Sequence, residues 1–204
     1  MKLVQKFLLI WLLLPAWSVS ANILPNEVVE STINELIAAL EERRSELEAD
    51  RVKLYQMVED VVVPHFEVDV IARLVLAKHW RSASKGQRED FAQEFKKLLI
   101  RTYATALFEY TGNEKLVVKP LRIKEGDKKV KVKTEVTLPG APPVPVNYSF
   151  LLTKKAGWKI YDVNIDGISL VTNYRSSYGQ RISQQGLDSL IDALREKNQR
   201  LETS

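Results

Sequence analysis

The stretch DVNIDGISLVTNYRSSY, residues 162–178, decides the fold of this chain. Its first residues alternate between apolar and polar side chains, which predicts a strand with one buried face. Asp166-Gly167 then predicts a turn, and the residues after it recur at helical spacing, with Asn173, Tyr174 and Arg175 in the early helical turns. A strand that leads directly into a helix indicates an α+β fold, and it raises the question of what these three polar side chains do there.

Two β-hairpins are predicted before this point, one with a turn at Gly126-Asp127 and one with a turn at Ala156-Gly157. The pairs expected in the first hairpin are Ile123 with Val130, Leu121 with Val132, and Val117 with Val136. Those expected in the second are Leu152 with Tyr161, Phe150 with Val163, and Tyr148 with Ile165. In this register the apolar side chains of each hairpin share one face, whereas Lys129, Lys131 and Lys133 point to the other, so the sheet has a buried and an exposed side.

Helical periodicity covers most of the remaining chain. The first helix is expected to begin near Glu27, and a second, 52–63, is stopped by Pro64. A third helix, 70–79, is capped by Asp69. The longest helix opens at the Ser84/Gln87 capping box, runs to about Tyr110 and ends at Gly112. Two further helices follow residue 167. The helices therefore flank the hairpins on both sides in the sequence.

Together these elements predict one domain, residues 22–204, in which helices pack around a strongly curved four-stranded antiparallel sheet. The inward strand positions and the wide helix faces supply many apolar side chains. They form either a solid core, which is the usual meaning of such faces, or the wall of a cavity inside a cone-like sheet, where small-molecule sites tend to lie. The residue pattern alone leaves both interpretations open.

The first 21 residues have the features of a cleaved secretory signal peptide. Lys2 and Lys6 precede an apolar run, 7–17, and small residues follow as far as Ala21. A membrane anchor is excluded because this run is too short for a bilayer core, which needs roughly 20 residues. Cleavage removes two lysines and no acid, so the formal charge falls from +4 to +2, which is too balanced for a nucleic-acid-binding protein.

Few residues suit catalysis or metal binding. The chain has no cysteine, so lipidation at the cleavage site, disulfides and thiolate metal sites are excluded. His65 and His79 lack the spacing of metal ligands and are interpreted as structural. Asp162 and Asp166 flank the end of the last strand and could act as acids in an enzyme, although a turn is the better interpretation. An enzyme and a pure interaction protein with a solid core stay open as alternatives.

The stretch 162–178 and the segment 76–110 resemble the toluene-tolerance family. The matching elements are Trp80-Arg81, Gln87-Arg88 at the start of a helix, Arg101-Thr102-Tyr103, and Gly167-x-Ser169-Leu170-Val171-x-Asn173-Tyr174-Arg175. The likeness extends in order over essentially all of residues 22–204, and the last block is specific. Lys85-Gly86 departs from the Thr-Pro that often opens this helix in the family, without a functional consequence.

The resemblance implies a soluble periplasmic phospholipid carrier that is not an enzyme and has no cofactor, only a bound phospholipid as cargo. The expected shape is cone-like, NTF2-like in general outline, with the acyl tails inside. The implied partners are an outer-membrane lipoprotein–porin complex and an inner-membrane ABC transporter complex with an MCE-domain protein, and the implied role is to maintain outer-membrane lipid asymmetry. At about 0.8 kcal/mol per buried methylene, two tails of roughly 15 carbons each represent on the order of 20 kcal/mol, so the tails must be enclosed.

The residues expected to contact the tails occupy inward strand positions and apolar helix faces. They are Leu99, Tyr103, Leu107, Val132, Val136, Tyr148, Phe150, Val163, Ile165, Leu170, Val171 and Tyr174. Tyr174 is expected to face the sheet. Asn173 and Arg175 are assigned structural roles, with a lipid phosphate as the alternative partner of Arg175. The lysine row of the first hairpin either keeps the sheet face soluble or meets anionic headgroups or an acidic partner.

Overall fold

The computed structural model describes residues 23–137 and 140–203, so the predicted signal peptide, residues 1–21, lies outside the described residues. The helices of the described part are α1 (Pro25–Ala49), α2 (Arg51–Val61), α3 (Val68–Leu76), α4 (Lys85–Tyr103), α5 (Leu170–Gln185) and α6 (Leu187–Thr203). The strands are β1 (Lys115–Val118), β2 (Lys129–Thr137), β3 (Val144–Thr153), β4 (Gly157–Ile165) and β5 (Ile168–Ser169). Short 3-10 helices, Val63–His65, Ala77–Trp80 and Ala104–Glu109, follow α2, α3 and α4. None of the helices in these two ranges is long and apolar enough to cross a membrane.

The strands form one antiparallel sheet in the order β1-β2-β3-β4-β5. The four predicted strands are present, and β5 adds a short fifth strand at the edge. Asp166 and Gly167 have φ angles of 49° and 83°, and two positive φ values are typical of a type I′ hairpin turn. This turn pairs Ile165 with Ile168, so the chain makes one more hairpin before α5 begins.

The predicted register of the first hairpin is wrong by one residue. The observed pairs are Leu116 with Val136 and Val117 with Glu135, and the predicted pairs Ile123 with Val130 and Leu121 with Val132 are absent because β1 ends at Val118. The last bond between the two strands runs from Lys119 N to Lys133 O (2.9 Å), and Pro120, whose φ angle is fixed by its ring, follows directly. A shift of one residue exchanges the two faces of a strand. Val117 is therefore exposed, while Leu116 packs against the buried side of the sheet.

The second hairpin forms, but the predicted pairs of Leu152, Phe150 and Tyr148 are also wrong. The observed pairs are Leu152 with Trp158, Phe150 with Ile160, and Tyr148 with Val163. The connection is a three-residue turn, 154–156, in which Thr153 Oγ1 accepts a hydrogen bond from Ala156 N (3.0 Å), and a β-bulge next to Ser149 shifts the register again. The bulge adds twist to the sheet.

Helix boundaries agree with the prediction where the capping residues form both of their expected hydrogen bonds. Ser84 Oγ accepts from Gln87 N (3.1 Å) and Gln87 Oε1 accepts from Ser84 N (2.9 Å), which confirms the capping box of α4. Asp69 is not the N-cap of α3, because Glu67 holds that position and Asp69 lies in the first turn. The α-helical part of α4 ends at Tyr103, so α1, with 25 residues, is the longer helix.

Three groups of buried side chains hold these elements together. The first joins α3, α4, α5 and α6 around Phe91 and Leu190. The second joins α1, α2 and α4 around Leu47. The third joins the start of α1 to the sheet around Val132 and Phe150. The charged face of β2 behaves as predicted, because its lysine row is exposed.

Candidate functional site

An apolar cavity of about 320 Å³ lies between the sheet and the helices. Its wall draws on all three buried groups, with Phe95 from the first, Val58 from the second and Tyr148 from the border of the third. Among the described residues that line it, Lys96 is the one charged residue. The three groups therefore surround a space suited to an apolar ligand, of a size near the lower end of the range for ligand sites, about 300–1,000 Å³.

Seven of the residues predicted from the sequence line this cavity. They are Leu99, Tyr103, Leu107, Tyr148, Val163, Ile165 and Leu170. The helical members come from α4, from the 3-10 helix that continues it, and from the first residue of α5, and the others come from β3 and β4. The structure thus brings together residues that are up to 71 positions apart in the chain, from Leu99 to Leu170. Their contact with lipid stays a prediction.

The other five predicted residues lie elsewhere in the described part of the chain. Val132 and Phe150 are fully buried between α1 and the sheet, and Val171 is buried among the helices of the first group. Val136 lies in β2 beside the edge strand, and Tyr174 packs behind the cavity wall. Strand alternation indicates which side chains point inward, but not which of these meet another side chain and which meet empty space.

Tyr174 belongs to an aromatic cluster with Phe91, Phe95 and Tyr178. Its ring lies edge-on to Phe95, with centroids 4.9 Å apart, and 5.3 Å from the ring of Tyr178. Tyr174 was predicted to face the sheet, whereas its aromatic partners Phe95 and Tyr178 lie on α4 and α5. Its phenol is hydrogen-bonded to Tyr103, and burial raises the pKa of Tyr174. Tyr174 therefore supports a residue of the cavity wall.

The electrostatics of the wall favour an uncharged ligand inside. Burial raises the pKa of Tyr148 to about 12, so its phenol is neutral at physiological pH. Lys96 is paired with Glu59 of α2, with Nζ 2.5 Å from Oε1. The two charges cancel at the border of the cavity, and the rest of its described lining is apolar or neutral.

The polar residues of the stretch 162–178 fasten α5 to its neighbours. Asp162 accepts hydrogen bonds from Ser169 Oγ (2.7 Å) and from Val171 N (3.1 Å). Ser169 Oγ accepts from Thr172 N (3.1 Å) and so caps the helix. A carboxylate at this position also interacts favourably with the helix dipole. Asp162, weighed above as a possible acid, is thus part of the cap of α5.

Arg175 ties α5 to α3. Its Nε donates to Leu74 O (2.8 Å), in agreement with the structural role assigned to it. Asn173, one turn into α5, is exposed. Within residues 23–137 and 140–203, no group of three His, Cys, Asp or Glu side chains is placed to hold a metal ion.

Sequence reasoning missed the part of the wall that comes from α1 and α2 and from the residues after them. Leu36, Val58, Val62, Val63 and Phe66 line the cavity. Their helical spacing is also that of an ordinary core face. One signal was present, because the apolar run on both sides of Pro64 continues past the end of α2, where a simple amphipathic helix would turn polar.

The sequence matches the family model described as MlaC protein over residues 30–196. It is similar to the toluene tolerance protein ttg2D of Pseudomonas putida, with 28% identity over 171 residues, 82% of this chain and 78% of the relative. It is also similar to the intermembrane phospholipid transport system binding protein MlaC of Haemophilus influenzae, with 22% identity over 174 residues, 84% of this chain and 81% of the relative.

The fold matches the solved structure of a phospholipid-binding protein from Ralstonia solanacearum in complex with a phospholipid. The TM-score is 0.78 at 29% sequence identity, and the match covers 86% of this chain and 97% of that chain. The α+β fold predicted from the sequence is confirmed by this match and by the sheet and helices described above.

Proposed function

The chain belongs to the MlaC family, and on that premise we propose that it binds phospholipid and carries it between membranes. One observation carries the proposal: an apolar cavity lies inside a fold shared with the Ralstonia solanacearum protein, which was solved with a phospholipid bound. The Haemophilus influenzae relative is the binding protein of an intermembrane phospholipid transport system. Both comparisons support the same ligand class.

The family is one of phospholipid-binding transport proteins, not of enzymes. The two residues considered for catalysis agree with this. Asp162 is engaged by Ser169 and Val171 at the start of α5, and Asp166 forms the turn between β4 and β5. The cavity itself is lined by apolar and aromatic residues with one lysine at its border. Such a lining holds acyl chains and gives them nothing to react with.

The acyl tails would occupy the cavity with the headgroup at its border. Because a two-tailed phospholipid is large for a cavity of about 320 Å³, we expect the wall to widen when a lipid enters. Tails buried here are also buried in a bilayer, so transfer between the two is close to balanced even though exposure to water costs on the order of 20 kcal/mol. The direction of transport must then be set by the partners.

We propose that the carrier works in the periplasm, between an outer-membrane lipoprotein–porin complex and an inner-membrane complex of an ABC transporter with an MCE-domain protein, and so maintains outer-membrane lipid asymmetry. Two features of the sequence support this location: the signal-peptide features of residues 1–21 and the lack of a cysteine for lipidation. The transport-system name of the Haemophilus influenzae relative supports the existence of partners.

Native mass spectrometry of the protein, purified from periplasm without detergent, tests the proposal directly. We expect a bound mass that lipid extraction identifies as phosphatidylethanolamine or phosphatidylglycerol. A protein that carries no lipid and takes none from vesicles would contradict the proposal and favour an interaction protein.

A further inference from the structure

Lys96 and Glu59 form an ion pair where α4 and α2 meet the border of the cavity. Lys96 Nζ donates to Glu59 Oε1. The Lys96 side chain is only 18% exposed, and Lys96 borders the cavity, whereas the Glu59 side chain is 40% exposed and follows Val58 of the cavity wall. The ammonium is the more enclosed member of the pair, and the carboxylate is the more accessible one.

The next residue of α4 shows that this arrangement is specific to Lys96. Lys97 is 46% exposed, pairs with Glu94 one turn earlier on the same helix, and does not line the cavity. The ammonium of Lys97 is the more exposed member of its pair, so it keeps more contact with water and depends less on its counter-ion. An enclosed ammonium, in contrast, needs a counter-ion because removing a charge from water is costly. Glu59 supplies that counter-ion.

We propose that Lys96 binds the phosphate group of the lipid, and that Glu59 is the counter-ion that holds the ammonium while the cavity is empty. This inference rests on the proposed function and adds a headgroup contact to it. Tails inside the apolar cavity bring the phosphate to its border, where a charge must stay hydrated or paired. There the phosphate can accept a charge-assisted hydrogen bond from Lys96 Nζ.

The exchange of counter-ions is balanced in charge. The phosphate replaces the carboxylate beside the ammonium, and the partly exposed Glu59 turns toward water. No covalent bond forms or breaks. The contact recognises the phosphate, which phosphatidylethanolamine and phosphatidylglycerol share and diacylglycerol lacks.

The test compares the loading of phosphatidylethanolamine and of diacylglycerol with the same tails, each offered in vesicles and read by native mass spectrometry. We expect the unmodified protein to prefer phosphatidylethanolamine, and Lys96→Gln to reduce this preference roughly tenfold, mainly through weaker loading of phosphatidylethanolamine. The matched control, Lys97→Gln, should keep the preference. A Lys96→Gln protein that keeps it as well would overturn the inference.

A second variant covers the case in which Lys96→Gln folds poorly. Glu59→Gln removes the resident counter-ion, so it should raise the preference for phosphatidylethanolamine over diacylglycerol, and an unchanged or lower preference would overturn the inference. Inorganic phosphate alone should give no Lys96-dependent thermal shift. Such a shift would assign the site to free phosphate and overturn the lipid assignment. Loading of both lipids without preference refutes only this inference, whereas loading of neither refutes the proposed function.

Discussion

Tyr148 of β3 and Val163 of β4 are paired directly across the sheet, and both line the cavity. Two residues further along β3, Phe150 pairs with Ile160 and is fully buried under the start of α1. The buried side of the sheet thus passes from cavity wall to core within two residues of one strand. This boundary can be tested by substitution on each side of it.

Val163→Glu should abolish lipid binding and leave the protein folded. A carboxylate in the cavity can be hydrated while the cavity is empty, but acyl tails would strip it of water. The lipid-to-protein ratio from native mass spectrometry and the thermal melting curve measure the two effects. The matched core variant, Phe150→Ala, should instead lower the free energy of unfolding by about 3–5 kcal/mol. Loss of fold and lipid together in Val163→Glu would place Val163 in the core.

Tyr174→Phe should change the free energy of unfolding by no more than about 1 kcal/mol, because the contact with Phe95 is kept and one hydrogen bond to Tyr103 is lost. Tyr174→Ala removes the ring from the aromatic cluster and should cost about 3 kcal/mol. Urea unfolding curves of both variants give these values. If Tyr174→Phe were fully stable but took up less lipid, the hydrogen bond to Tyr103 would have a direct role in shaping the cavity.

Arg175→Ala should lower stability without altering which headgroups are bound. The substitution removes the donor to Leu74 O and with it one link between α5 and α3, and the loss of a hydrogen bond from a charged group costs about 1.5–3 kcal/mol. Melting temperature and the headgroup composition of extracted lipid are the two measurements. An unchanged melting temperature with an altered headgroup composition would show instead that Arg175 contacts the lipid.

Stability should fall as the pH drops below about 6.5, in part because of His65. Burial lowers the pKa of His65 below its usual 6.5, and the nearby positive charge of Lys159 adds to this. At a pH between the pKa of His65 in the folded protein and its pKa in the unfolded chain, His65 is protonated mainly in the unfolded chain. Lowering the pH through this range therefore favours unfolding. Urea midpoints at about pH 7.5 and about pH 5.5 should differ less in His65→Asn than in the unmodified protein. Equal differences would assign the pH dependence to other groups.

Structural features that depend only on residues close together in the sequence could be predicted. The capping box of α4 needs only Ser84 and Gln87, and both of its hydrogen bonds form. The turn at Asp166-Gly167 also follows from the two residue types alone. Hairpin register could not be predicted in the same way, because it depends on whether the turn uses two or three residues and on where a bulge falls.

The candidate site could be predicted only in part for a related reason. The alternation of β3 places Tyr148 and Phe150 on the same side of the sheet, yet Tyr148 lines the cavity whereas Phe150 is fully buried against the start of α1. That difference is set by how far a helix reaches across the sheet, which no local pattern records. Lys96 shows the same limit, because a lysine on an amphipathic helix is usually a solvated charge and its place at a cavity border depends on the packing of α2.

The cavity also affects how the stability of this protein should be understood. Side chains that line a cavity make fewer dispersion contacts than those of a packed interior. The cavity therefore gives the folded protein less stabilisation from packing than a solid core would. A ligand that binds only the folded state raises the melting temperature, and the rise grows with the logarithm of its free concentration divided by its Kd. Larger apolar side chains in the cavity would give a similar gain without any ligand, at the expense of function. The melting temperature therefore reports how much lipid is bound, and the variant with the best-packed interior would carry the least lipid.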